Sequence, residues 1–253
     1  MKRPIEVFLR HCYYSKIQEL SDRTRPNWFN KNKVFENFKN TLDPKLVNYT
    51  IVYDEFYGSI NKTFLSNEKN VEIINCGNEP DSFLSTLDIV QSRNFDDDQI
   101  VYFLEDDYLH RPDWSKVLLE GFTLGSAYVT LYDFNFFVDQ GFLCKIFTTS
   151  SCHWRAEYAT TNTFACKYKT LLEDLEIHKK YSIHPMKEQG ITYSNDWQKY
   201  RELSEQNKHL ISPIPGWSTH CHPKHISPAI DWKKIIDCNH SQQQKNELLI
   251  DYR

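Results

Sequence analysis

Three carboxylates stand side by side at Glu105, Asp106 and Asp107, directly after the apolar run Ile100-Val101-Tyr102-Phe103-Leu104. A short run of β-branched and aromatic residues reads as a buried strand. Three acids at its exit repel one another unless a cation, arginines or helix N-terminal amides neutralise them. In open α/β sheets ligands sit at the carboxyl ends of strands. A hard divalent ion held by one or two carboxylates and finished by water and phosphate oxygens suits this chemistry. The competing reading is a solvated acidic turn in which Asp106 or Asp107 caps the helix that opens at Pro112-Asp113-Trp114.

Other stretches could join such a site. In Gly216-Trp217-Ser218-Thr219-His220-Cys221-His222, residues two apart on extended backbone share a face, so His220 and His222 can point the same way. A tetrahedral zinc site needs four ligands, and only these two and a distant cysteine offer themselves. Both can equally be surface histidines. Arg93, after the helical pattern of Ser82 to Arg93, would give planar recognition of a diphosphate or simply neutralise a helix C-terminus. His153, Trp154 and Arg155, before a hydroxyl-rich Thr160-Thr161-Asn162-Thr163, have the mixture of polar groups and ring face that binds sugars. Trp217 is a second ring of that kind, and core packing is the competing role for both tryptophans.

The chain has 253 residues, 40% of them hydrophobic, enough for one sizeable core. A net charge of −4 argues against nucleic acid as a partner. No apolar run has transmembrane length, and the stretch Ile5 to Leu9 behind Met1-Lys2-Arg3-Pro4 is too short for a signal-peptide core. Seven scattered cysteines without a C-x-x-C pair read as reduced thiols of a cytoplasmic protein. Glycine is scarce, and neither a dinucleotide fingerprint nor a Walker A loop is present. Any bound phosphate therefore needs a metal rather than a glycine cradle.

Strands are expected at Ile5–Leu9, Tyr49–Tyr53, Val71–Ile74 and Ile100–Leu104, with helices at Asn32–Leu42 and Ser82–Arg93 between them. This alternation implies a mostly parallel sheet with right-handed crossovers. The polar stretch 15–33, with Arg23, Arg25 and Trp28, reads as a functional loop. Further strands are expected at Ala127–Tyr132 and Cys144–Thr149, and helices at Thr170–Tyr181 and Trp197–Asn207. The tail from Ser241, with Leu248, Leu249 and Tyr252, reads as a short helix. One continuous domain over 1–253 is expected, with a nucleotide-binding half (1–110), an acceptor half (111–240) and the tail (241–253).

With Glu105, Asp106 and Asp107 behind a core strand, and with strings such as Leu104-Glu105-Asp106-Asp107-Tyr108-Leu109-His110-Arg111-Pro112 and Pro215-Gly216-Trp217-Ser218-Thr219-His220, the chain resembles GT-A nucleotide-sugar glycosyltransferases, including small bacterial and viral glycosyltransferase-like proteins. The acids match the DxD motif, with Glu in place of the first Asp. The resemblance implies a Rossmann-type, mixed and mostly parallel α/β sheet flanked by helices. It also implies a divalent ion, Mn²⁺ or Mg²⁺, held by Asp107 and Glu105 with a late histidine, His220 or His222, and donor contacts from Glu105, Asp106 and Asp54, for which a turn residue or local cap is the competing role. The implied reaction moves a sugar from a nucleotide-sugar donor to a carbohydrate acceptor. An inverting transfer needs a carboxylate to take the acceptor proton. Asp196, at the start of a helix beyond the metal motif, matches that base, and an N-cap has the same signature. Two other classes compete: a non-catalytic carbohydrate-binding module, and a metal-dependent phosphoesterase, which would gather several acids and histidines.

Overall fold

The computed structural model describes residues 2–15, 25–134, 144–183, 186–188 and 191–238. Arg23 and the tail from Ser241 lie outside the described residues. In chain order the elements are β1 (Ile5–Cys12), α1 (Lys31–Thr41), β2 (Val47–Asp54), β3 (Val71–Ile74), α2 (Glu79–Ser92), β4 (Ile100–Glu105), β5 (Tyr108–His110) and α3 (Trp114–Thr123). They continue with β6 (Tyr128–Val129), β7 (Ile146–Thr148), β8 (His153–Glu157), β9 (Phe164–Lys167), α4 (Tyr168–Glu173), α5 (Leu175–Ile183), β10 (Met186–Glu188), β11 (Ile191–Tyr193), α6 (Asp196–Glu205), β12 (Leu210–Ile214) and β13 (Ser218–His220).

The main sheet has nine strands in the order β3-β2-β1-β4-β9-β6-β12-β8-β7. Strands β3, β2, β1 and β4 are mutually parallel, β9 and β8 run against their neighbours, and β6 pairs parallel with β12. The sheet is thus mixed and mostly parallel, as the α/β expectation required, and it runs through both halves of the chain.

Alternation along the strands builds two cores. Val7, Leu9, Ile51, Tyr53, Tyr102 and Leu104 face one side, with Phe35 and Phe38 of α1 and Trp114, Val117 and Leu118 of α3. Phe8, Val52, Val101 and Phe103 face the other, with Phe83, Leu87 and Val90 of α2 and Tyr200 and Leu203 of α6. Period-two side chains covered by helices on both faces make a three-layer α/β/α domain. Helix α1 starts where the Asn30 side chain accepts from the Lys33 amide, and α2 where Asn78 accepts from the Asp81 amide, with Pro80 in its first turn. Helix α3 opens at Asp113, which adopts a left-handed φ of 65° and makes no side-chain cap bond.

Strand order decides where a ligand can sit. The chain leaves β1 toward β2 and β3, then crosses back to β4 on the other side of β1. That reversal opens a crevice at the carboxyl ends of β1 and β4. Beyond it, β5 pairs antiparallel with β13, with Tyr108 opposite His220. Among the described residues no helix is long and apolar enough to cross a membrane.

Candidate active site

A cavity of about 710 Å³ lies in that crevice. Its walls come from the ends of β1 (Arg10, His11, Cys12), β2 (Asp54) and β4 (Glu105 to Asp107), the start of α2 (Asn78, Glu79, Ser82), and the stretch Thr192 to Gln198. His220, His222 and His225 close another side. This is a volume suited to a medium-sized organic ligand.

Each acid of the motif is met by a different cation. Arg10 stands opposite Glu105 in the β1–β4 register, and its Nη2 is 2.5 Å from Glu105 Oε1. Lys31 Nζ lies 2.6 Å from Asp106 Oδ2, which also accepts from the Cys12 amide at 3.2 Å. Arg25 Nη2 lies 2.5 Å from Asp107 Oδ2, and His220 Nε2 is 3.1 Å from the same oxygen. The acidic-turn reading is therefore corrected. Neither Asp106 nor Asp107 caps α3, because both carboxylates turn inward to cations that their burial requires. Burial alone would raise the Asp107 carboxyl, but Arg25 and then His220 hold it well below the usual carboxylate range. Burial raises Glu105 well above it. His11, between Tyr53 and Phe64, is lowered by burial to about 4 and is neutral.

At one end of the cavity Asp54 closes β2. Its Oδ1 accepts from the amides of Phe56 and Cys76, both at 3.1 Å, and its Oδ2 from Gly77 at 2.9 Å. Gly77 has φ 73°, and a Cβ there would stand 2.6 Å from the Phe56 ring, so only glycine brings that amide to Asp54 without strain. At the other end is Asp196. It is not the N-cap of α6: Asn195 is, accepting from the Gln198 amide at 3.3 Å. Asp196 sits in the first helical turn, and its Oδ2 accepts from the Thr160 amide at 2.7 Å. Desolvation raises its carboxyl.

A polar chain joins the two halves. Glu79 takes Arg10 at 3.3 Å, Asn162 Nδ2 at 2.8 Å and the Ser194 amide at 2.6 Å. Asn162, held at φ 55°, accepts in turn from Lys199 Nζ at 2.7 Å. Lys199 is 1% exposed, lies over the rings of Phe83, Phe164 and Tyr200, and is lowered by burial to about 8.

The structure gathers Asp54, Glu105, Asp106, Asp107, Asp196, His220 and His222 around one cavity. Arg25, Thr161 and Asn162 join them, whereas Arg93, His153, Trp154, Arg155 and Trp217 do not. Arg93 ends α2 on the surface, paired with Glu72. Trp154 is fully buried in the core, donating to Thr149 Oγ1 at 2.9 Å, and His153 is exposed on β8. Arg155 is bound to Asp133 at 3.0 Å and Glu157 at 2.9 Å. Trp217 packs against the core with Arg111 4.0 Å from its ring centre. Alternation along β8 explains three of these: it turns Trp154 inward and leaves His153 and Arg155 on the opposite face.

Sequence reasoning missed Arg10, Lys31, Glu79, Lys199 and His225. Arg10 carried a signal, a cation closing the strand that must neighbour the acidic one. The others come together only through tertiary contacts.

The donors suit a hard divalent ion in type. Asp107 Oδ1 is a buried acceptor with no hydrogen-bond partner among the described residues, and His220 Nδ1 is likewise unpartnered. With Arg25 on Asp107 and Arg10 on Glu105, no three His, Cys, Asp or Glu side chains among the described residues converge on one ion position.

No family model matches the chain, and no curated protein matches it. Among solved structures it is similar to a CMP:2-keto-3-deoxy-manno-octonic acid synthetase complexed with CTP, at 10% identity and a TM-score of 0.46, over 94% of this chain and 99% of that one.

Proposed function

We propose that the chain is a metal-dependent glycosyltransferase that binds a nucleotide-sugar donor in the cavity between Asp54 and Asp196. One observation carries this reading: the acidic motif opens into a cavity at the sheet's point of reversal, with a backbone-anchored carboxylate at one end and a desolvated one at the other. From β2 to β9 is three strand spacings, roughly 14 Å, a length that accommodates a nucleoside diphosphate and part of its sugar.

Charge supports a divalent ion. Among the described residues Asp54, Glu79, Glu105, Asp106, Asp107 and Asp196 line the cavity against Arg10 and Arg25, with Lys31 paired to Asp106. A diphosphate entering alone would be repelled. Asp107 and His220 would hold Mn²⁺ or Mg²⁺, the other positions being left to water and phosphate oxygens, while Glu105 stays with Arg10. When bound, the ion neutralises charge on the leaving nucleoside diphosphate. Asp54, fixed by three amides, orients the nucleoside through its remaining lone pairs. Asp196 takes the proton of the acceptor hydroxyl, and desolvation, by raising its pKa, makes it a stronger base than an ordinary carboxylate. Transfer with a base on the acceptor side inverts the anomeric centre.

A second reading keeps a specific observation. Three imidazoles stand beside the acids: His220 and His222 have ring centres 5.8 Å apart, His222 and His225 4.6 Å apart. A metal-dependent phosphoesterase gathers histidines and acids in this way. Turnover separates the two. With UDP-, GDP- and dTDP-sugars, Mn²⁺ and a mixture of glycan acceptors, a transferase releases nucleoside diphosphate and yields glycosylated product. Hydrolysis of generic phosphoesters, with no glycosylated product, would overturn the transferase reading.

A further inference from the structure

The tryptophan that the cavity offers to a saccharide, beside the rings of Tyr14, Tyr57, Phe134 and Tyr193 on its walls, is neither of those nominated from the sequence. Trp154 is buried in the core and Trp217 packs away from the cavity. Trp197 lines the cavity and is 37% exposed. Its ring presents an apolar face that a ligand entering the cavity can cover.

Its surroundings are built for that. Arg201, one turn further along α6, places its guanidinium 4.7 Å from the Trp197 ring centre. The cation backs the ring and limits its rotation. Asn195, Asp196 and Gln198, flanking Trp197, line the same cavity, so planar amides and a carboxylate surround the ring. The Asn195 side chain and Asp196 are fixed by the Gln198 and Thr160 amides. Pyranoses are held by this combination: a polarised C–H face on an aromatic ring, hydroxyls on carboxylate and amide groups.

We infer that Trp197 is the platform on which a pyranose ring of the acceptor stacks, which places an acceptor hydroxyl beside Asp196. The acceptor is thereby a saccharide with an apolar ring face rather than a protein side chain or a lipid alcohol. The word acceptor rests on the transferase reading; the stacking of a pyranose on Trp197 does not.

Ligand-detected saturation-transfer NMR tests this on the full chain. The probes are methyl β-galactoside, methyl β-glucoside, methyl α-mannoside and methyl β-N-acetylglucosaminide. At least one should bind with saturation strongest on its C–H face. Trp197→Ala should weaken that binding about ten-fold or more, while Trp197→Phe keeps it within about three-fold. Both variants should bind the nucleotide-sugar panel like wild type, since the ring stands at the Asp196 end. Saccharide binding unchanged in Trp197→Ala, or absent from wild type across the panel, overturns the platform. Trp197-dependent saccharide binding with no nucleotide-sugar binding keeps the platform and instead sinks the transferase reading in favour of a carbohydrate-binding module.

Discussion

Replacing Asp196 with Asn separates catalysis from architecture at the residue on which the proposed mechanism turns. Asn retains an oxygen for the Thr160 amide, a 2.7 Å bond, and Asn195 remains the helix cap. Two stabilising effects disappear. One is a negative charge in the first turn of α6, worth about 0.3–1 kcal/mol. The other is the carboxylate that most opposes the burial-driven loss of the Lys199 proton. With Asp196 neutral, Lys199 falls further below about 8, and the α6 end of the polar chain weakens. Together these amount to roughly 1–2 kcal/mol, a Tm loss of about 3–6 °C for a chain of this size. Loss of a positioned base lowers transfer by roughly 10²–10⁴, equivalent to about 3–5 kcal/mol in the barrier. Initial rates of nucleotide release in the presence of acceptor, with a melting curve on the same preparation, measure both. Lys199→Gln is the control, expected to reproduce the stability loss with transfer within about ten-fold. Transfer within a few-fold of wild type in Asp196→Asn would refute the reasoning and leave Asp196 as a structural tie to the loop before β9.

Two further outcomes follow from the geometry. His220→Ala, which removes the imidazole 3.1 Å from Asp107 Oδ2, should weaken Mn²⁺-dependent nucleotide-sugar binding about ten-fold in calorimetry, and His222→Ala less than three-fold; equal effects would count against His220 as the ligand. Glu157, buried beside Arg155, is raised by burial to about 7, whereas in the unfolded chain it ionises near 4.3. Across that window the folded protein holds the extra proton, so stability falls as pH rises from about 4.3 to 7. Glu157→Gln should flatten the slope of urea-unfolding free energy over that range, and an unchanged slope would contradict the assignment.

The first half of the fold was legible because its parallel strands announce themselves as apolar runs, the half-buried edge strand β3 as well as the buried β4. Val71–Ile74 has the same limits in sequence and structure, and Ile100–Leu104 lengthens only to Glu105. The second half was not. Expected Ala127–Tyr132 is strand only at Tyr128–Val129, and the single expected helix Thr170–Tyr181 is two, α4 and α5, meeting at Asp174. Asp174 is buried because it takes Tyr128 Oη at 2.7 Å and Lys208, and no local pattern encodes that. Strands β5 and β13 are three residues each, too short for periodicity to register, yet their pairing brings His220 to Asp107. Asp196 was legible as a residue at a helix start, but not as one whose cap role Asn195 takes. The tryptophans show the same limit: composition identifies rings that could hold a sugar, and only packing distinguishes buried Trp154 from exposed Trp197.

The central claim is that this cavity binds a nucleotide-sugar through a divalent ion on Asp107. Isothermal titration of wild type and Asp107→Asn with UDP-, GDP- and dTDP-sugars, each with and without Mn²⁺, tests it most directly. Asp107→Asn keeps the size and one acceptor of the side chain while removing the charge opposite Arg25. A folded variant, verified by its melting curve, is compared at equal concentration. The account predicts that one donor class binds wild type only with Mn²⁺ and that Asp107→Asn loses at least ten-fold of this affinity. Donor binding in wild type that ignores Mn²⁺, or Mn²⁺-dependent binding that survives unchanged in Asp107→Asn, would contradict it.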